Sequence, residues 1–248
     1  HDMDMLQWLV GSECVKVSSD GSLAYFRKEN APEGATARCA DGCQVEHDCP
    51  YSAFKWYYNT SNEFPAKVAT LRPDLDDRMQ AIKEGPYGRC VYHCDNDVVD
   101  HQVATLLFDN GVTVAFTMTG LTLENKRTFA IMGTLGEIVG DDRRNELEVR
   151  MFAGKSERIV PAAAKGGHQG ADSGIMRDFV RMGGAEGWEV ANGKGSGMAA
   201  RNKTSADVSA RSHLIAFALE HSRVTGQAVN MRDYVEQIRT GALDETKM

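Results

Sequence analysis

The sequence predicts an α/β fold of the α+β kind: one sheet assembled around a hairpin, with helices packed on one face. Three observations carry this. Residues 100–119 read as two strands joined by Asp109-Asn110-Gly111. In the second arm Val112, Val114, Phe116 and Met118 alternate strictly with Thr113, Ala115, Thr117 and Thr119, the period of a half-buried strand. Asn-Gly tolerates positive φ and is the strongest short-range hairpin signal a sequence offers. Four further strand-like runs, 127–132, 137–139, 146–152 and 156–160, follow without a helix between them, and helical periodicity flanks the strands on either side.

In residues 1–11, Met5, Leu6, Leu9 and Val10 form an apolar stripe, and Gly11 suits the position after a helix. Strands are expected at 14–19 and 23–26. Periodicity then disappears over 27–48, a long loop marked by Asn30, Pro32, Gly34 and Gly42 that holds Cys39, Cys43 and Cys49. Long ordered loops usually carry a function or a staple. Pro50 fits a first helical position, and Phe54, Tyr57 and Tyr58 give a short aromatic helix. Asp74 opens another, with Leu75, Met79 and Ile82 on one face, stopped by Gly85-Pro86. The first arm of the hairpin is apolar on both faces near Leu106-Leu107-Phe108, as in an inner strand, and the Thr/Ala face of the second arm is either solvated or against another subunit. Residues 162–171 form a Gly- and Ala-rich loop. Asp172 can cap the next helix, whose buried face is Ile175, Met176, Phe179 and Val180. After a second Gly-rich loop, 183–202, Thr204 and Asp207 resemble a capping box. They open the longest helix, which buries Val208, Ile215 and Leu219 and ends near Gly226, before a last helix at 231–238.

The 248 residues carry a formal charge of −7 and are 42% hydrophobic, the composition of a globular domain with a full core. No basic stripe marks a nucleic-acid footprint, and no apolar run approaches a membrane span. No signal peptide is legible. Six cysteines in such a chain point to thiols or a metal site in a reducing, cytoplasmic compartment rather than to a disulfide framework. The sequons at Asn59 and Asn202 are then accidental. The chain opens on His1 inside a helical pattern, so further sequence is expected upstream.

Gly193-Lys194-Gly195-Ser196-Gly197 follows no strand and lacks dinucleotide-loop spacing, and neither a P-loop nor a G-x-S-x-G elbow occurs. Cys39, Cys43 and Cys49, with Cys94 or Cys90 as a fourth, have the donor chemistry of tetrahedral zinc, with His47 and His93 nearby in sequence. On an extended strand Cys90 and Cys94 would face the same side. The competing reading keeps these thiols metal-free and packed as small hydrophobes. His1, three residues from Asp4 at a helix start, has the surroundings of a general base or of a surface histidine at a frayed end. His168, between glycines, either reaches a pocket or sits on an exposed loop. His101 and His213 read as structural histidines.

Four segments in order resemble the Gfo/Idh/MocA oxidoreductases: residues 1–9 (His-Asp-Met-Asp-Met-Leu-Gln-Trp-Leu), 88–92 (Gly-Arg-Cys-Val-Tyr), 95–102 (Asp-Asn-Asp-Val-Val-Asp-His-Gln) and 131–138 (Ile-Met-Gly-Thr-Leu-Gly-Glu-Ile). Gly166-Gly167-His168 and 176–179 extend the likeness. The resemblance implies the family's C-terminal substrate and oligomerisation domain, 1–248, with an open, largely antiparallel sheet and residues 1–11 as the remnant of an active-site helix. It also implies that the Rossmann domain which binds NAD or NADP lies outside this sequence, and that the chain alone is inactive. His1 matches the family's active-site histidine, which takes the substrate hydroxyl proton as hydride leaves for the nicotinamide. The family's substrates are sugars, cyclitols and polyols. Tyr92, Asn96, Asp97 and His168 are the expected substrate contacts, since such groups accept hydrogen bonds from hydroxyls. Asn96 and Asp97 read equally as turn formers before a strand. The expected partners are a small polyol or sugar and a second copy of the chain, with no nucleic acid and no membrane. A second reading is a non-catalytic binding or assembly module stapled by zinc.

Overall fold

The computed structural model describes residues 1–162, 170–183 and 206–243. In chain order the elements are helix α1 (Asp2–Val10), strand β1 (Cys14–Ser22), helices α2 (Ala53–Tyr57), α3 (Ala66–Ala69) and α4 (Leu75–Glu84), and strands β2 (His101–Phe108) and β3 (Thr113–Thr119). Strands β4 (Thr128–Met132), β5 (Gly136–Asp141), β6 (Glu146–Met151) and β7 (Ser156–Ile159) follow, then helices α5 (Ala171–Gly183) and α6 (Ala206–Thr225), strand β8 (Val229–Asn230) and helix α7 (Met231–Thr240). This is an α+β fold. The single sheet expected from the sequence is two open antiparallel sheets of four strands, ordered β3-β2-β1-β8 and β4-β5-β6-β7. The chain divides into two compact units, His1–Asp4 with Thr122–Leu214 and Met5–Leu121 with Ile215–Met248, and each sheet lies within one of them.

In the unit containing β1, the hairpin forms where alternation places it. Leu107 pairs with Thr113 and His101 with Thr119. The turn is tighter in its demands than Asn-Gly alone implies. The Gly111 N–H donates to the Phe108 carbonyl, the Phe108 N–H to that of Val112, and Gly111 alone takes positive φ, +82°. Val114, Phe116 and Met118 are half-buried, whereas Thr113, Ala115, Thr117 and Thr119 are exposed in this chain. On the inward face Ala104, Leu106, Phe108 and Val17 join Ile215, Ala218 and Leu219 of α6 and Tyr234 of α7 in the core. The last turns of α6 are pinned to β1: the Ser19 N–H donates to Ser222 Oγ at 3.0 Å, and that hydroxyl donates to the Gln227 carbonyl. Gly226 closes α6 in the left-handed region, as its position foretold.

α4 starts on Asp74, whose carboxylate accepts from the Asp77 N–H at 2.8 Å. Its buried face differs from the expected one, because Ile82 is joined by Arg78 while Leu75 is exposed. The Arg78 guanidinium donates to the carbonyls of Ser61, Ala66 and Thr70. It serves as a hub for the segment before α4, a task no apolar side chain could perform. α2 begins three residues after Pro50, with Ser52 as its N-cap residue.

In the other unit, β4 to β7 form a meander of antiparallel pairs. Phe129 stands opposite Gly140, and its ring covers the space a Cβ would fill. Within the same unit, Arg127 Nε donates to Asp2 Oδ1 at 2.5 Å. The stripe Ile175, Met176, Phe179 and Val180 on α5, expected to be buried, is exposed at 56–67%. Helical periodicity identifies an apolar face without identifying what covers it.

Candidate functional site

The loop 27–52 is ordered by contacts that its own sequence could not announce. Arg38 pairs with Arg89 in an isolated antiparallel bridge, with the Cys39 N–H donating to the Gly88 carbonyl and the Cys90 N–H to that of Ala37. The Arg38 guanidinium donates to the carbonyls of Ile82 and Gly85 at the end of α4. At the other end, the Ser52 hydroxyl donates to Glu46. Between these ties lies a cavity of about 10 Å³, lined by Cys39, Cys43, Cys49, Cys90, Tyr51 and Tyr92 among others. Burial raises the pKa of the Cys39 thiol. The Ala53 N–H, which donates to its sulfur at 3.4 Å, acts the other way, and the neighbouring Cys90, Cys43 and Cys49 add to the rise.

This corrects the expected zinc set. Cys39, Cys43 and Cys49 do face one cavity, but Cys94 does not line it and Cys90 does. Cys90 and Cys94 are separated in this way because 91–93 is a turn, closed by the His93 N–H on the Cys90 carbonyl, and not an extended strand. Among the described residues no three His, Cys, Asp or Glu side chains stand in the arrangement of a metal centre, so structural zinc is not shown. All six cysteines are free thiols. His47 and His93 do not line the cavity. Cys14 lies elsewhere, on β1, where burial pushes its thiol up to about 11 against the opposing hydrogen bond to the Lys16 carbonyl.

Tyr92 is buried, with its hydroxyl donating to that of Tyr25 at 3.2 Å. Burial and this bond raise the pKa of the phenol. Tyr25, Phe26, Tyr51 and Tyr92 form a cluster of largely edge-to-face rings, with centroids 5.1 to 6.1 Å apart. Of these rings the sequence reading singled out Tyr92. Asn96 and Asp97 are exposed, and Asn96 Oδ1 accepts from the Val98 N–H, the turn-making geometry. His1 is exposed at the start of α1. His168 lies outside the described residues.

Asp100, between the loop and β2, was not among the expected site residues. It is buried, and its Oδ2 accepts from the N–H groups of Ala24 at 3.0 Å, Tyr25 at 2.6 Å and Phe26 at 3.3 Å. Its Oδ1 meets His101 Nδ1 at 2.8 Å. Burial alone would raise its pKa, but the imidazole and three backbone donors hold the carboxyl well below the usual carboxylate range. The expected strand at 23–26 is absent because those N–H groups turn to this carboxylate instead of to a ladder. His101 is thereby the structural histidine its position implied.

The geometry thus offers a partly buried aromatic and thiol cluster, followed in the chain by exposed amide and carboxylate groups at 95–97. The chain is similar to proteins named as oxidoreductases, over a portion of their length. No family model matches it. One curated relative is YteT of Bacillus subtilis (strain 168), whose name assigns it provisionally to the oxidoreductases. It is 20% identical over 194 residues, 72% of this chain and 44% of that protein. A solved levoglucosan dehydrogenase in complex with NADH has a TM-score of 0.50 and 19% identity, covering 93% of this chain and 48% of that one. An oxidoreductase domain protein from Kribbella flavida aligns at 15% identity and a TM-score of 0.49, over 93% of this chain and 48% of its own. The chain therefore spans less than half the length of these relatives.

Proposed function

We propose that the chain is the substrate-binding and oligomerisation portion of an NAD- or NADP-dependent dehydrogenase that oxidises a hydroxyl of a sugar, cyclitol or related polyol by hydride transfer. The observation that carries this reading is the fold shared along 93% of the chain with a dehydrogenase solved with NADH. The four ordered motifs support it, as does the provisional oxidoreductase name of the curated relative. The nucleotide is held mainly by a domain outside this sequence, and 1–248 acts as a C-terminal domain whose residues 1–11 are the tail of the active-site helix. His1 takes the hydroxyl proton as hydride leaves for the nicotinamide. Asn96 and Asp97, both exposed, and His168 accept hydrogen bonds from substrate hydroxyls. Tyr92 contributes shape, since its own hydroxyl is engaged by Tyr25. A cytoplasmic setting goes with six free thiols.

The test is reduction of NAD or NADP by the full-length protein across a panel of sugars, anhydrosugars, inositols and linear polyols. Turnover with at least one of them is expected. His1→Ala should lower kcat about 10²- to 10⁴-fold while nucleotide affinity stays near that of the parent, the cost of losing a general base. Nucleotide binding with an unchanged kcat in His1→Ala removes His1 from the mechanism. Failure to bind either nucleotide removes the dehydrogenase reading itself.

A further inference from the structure

The four cysteines lining the small cavity have no part in the proposed chemistry. They come from four backbone positions that are far apart in sequence at their extremes: Cys39, Cys43 and Cys49 in the long loop, and Cys90 after α4. Each is half-buried, and none is in a disulfide. The cavity they line, together with Val45, Tyr51, Tyr92 and others, is about 10 Å³, the room of a single water-sized body. Four soft donors around space for one small sphere is the donor set of a tetrahedral thiolate centre, in which each sulfur stands about 2.3 Å from the ion. The Ala53 N–H, aimed at the Cys39 sulfur, is the kind of outer contact that orients a thiolate ligand. The sulfurs do not converge as found. The four cysteines lie outside every strand of both sheets, so closing on a centre is a rearrangement of the loops that carry them.

We propose that the chamber bounded by Cys39, Cys43, Cys49 and Cys90 binds one thiophilic divalent metal ion, which draws the four sulfurs inward. Binding releases thiol protons to solvent and involves no change of oxidation state. With four protein donors there is no open position for substrate, so the ion acts structurally. It ties the loop to the segment at 88–92 and holds Tyr51 and Tyr92, which line the same cavity, against Tyr25. The donor set is specific, with Cys90 a ligand and Cys94 and Cys14 not.

Cadmium(II) titration of the full chain, stripped of metal under reducing conditions, tests this through the thiolate-to-metal charge-transfer absorption. Saturation at about one equivalent per chain is expected, with four thiols becoming protected from alkylation. Cys90→Ser should weaken cadmium binding by at least about tenfold, and Cys94→Ser and Cys14→Ser should bind as the parent does. Elemental analysis of protein purified without chelator should show about one zinc or similar ion per chain. Absence of charge transfer at one equivalent overturns the proposal, and so does loss of binding in Cys94→Ser with retention in Cys90→Ser. Should Cys90→Ser fail to fold, the parent titration and the number of protected thiols decide.

Discussion

Asp100 shows how much one side chain can organise. Its carboxylate replaces a strand ladder for Ala24, Tyr25 and Phe26 and fixes the ring of His101 at the same time. Asp100→Ala leaves these buried donors unpaired and should cost roughly 3 kcal/mol in denaturant unfolding. Asp100→Asn, which keeps one carbonyl acceptor, should cost less. The folded-state pKa lies below the unfolded value. The stabilisation is therefore fully present above the ordinary aspartate value, near pH 4, and is lost as pH falls through the folded pKa. The stability gap between parent and Asp100→Asn should accordingly shrink on acidification below about pH 4. A gap that stays constant down to that range would show that the charge is not what matters. Arg78 plays the matching role for carbonyls, fully buried among three of them with no carboxylate partner among the described residues.

Elements meet through close approaches that a sequence shows only as glycine. At Gly88 a Cβ would fall 1.7 Å from the Ile82 carbonyl oxygen of α4. Neither atom belongs to a movable side chain, so the turn carrying Cys90 and Tyr92 would have to leave the helix. At Gly140 the obstacle is the far edge of the Phe129 ring, 2.3 Å from a built Cβ, and a ring can turn. Gly88→Ala should therefore cost about 3 kcal/mol and Gly140→Ala about 1 kcal/mol, in line with the range for overpacking. Thermal unfolding ranks the two, and a larger loss at Gly140 would mean that Phe129 is locked. The hairpin, by contrast, was readable except at Val112, which is exposed ahead of the strand, because alternation and Asn110-Gly111 are local signals. The strand expected at 23–26 was not, because its competitor lies 74 to 76 residues away.

At the scale of the molecule, each of the two units has its own open antiparallel sheet. In the unit of β4–β7, apolar side chains stand exposed: Met132 at 82%, Leu135 at 72% and Phe152 at 74%. Isolated exposures are ordinary, but here Leu135 and Phe152 are neighbours, joined by the Phe152 N–H on the Leu135 carbonyl at one end of the sheet, and grouped apolar side chains are what an interaction surface requires. A second copy of the chain is the occupant that fits the proposed oligomerisation role. Light scattering after size exclusion should give a dimer or higher oligomer for the full-length protein. Met132→Lys combined with Phe152→Lys should yield monomers with retained circular dichroism. A parent that is monomeric at tens of micromolar, roughly the range of a weak specific complex, would refute the role.

The sequence by itself determined the α+β class, the hairpin and its faces, the four-strand series, the start of α4, the stop of α6 and the oxidoreductase likeness. Each rests on periodicity, a cap, a breaker or a motif, all set by residues within a few positions of one another. Only the tertiary structure decided that the strands form two sheets, that Cys90 and not Cys94 joins the loop cysteines, that Tyr92 is sealed by Tyr25, and that Asp100 commands a loop. These depend on which distant segments compete for the same backbone donors and the same buried volume. That competition is resolved by packing in three dimensions and leaves no local signature along the chain.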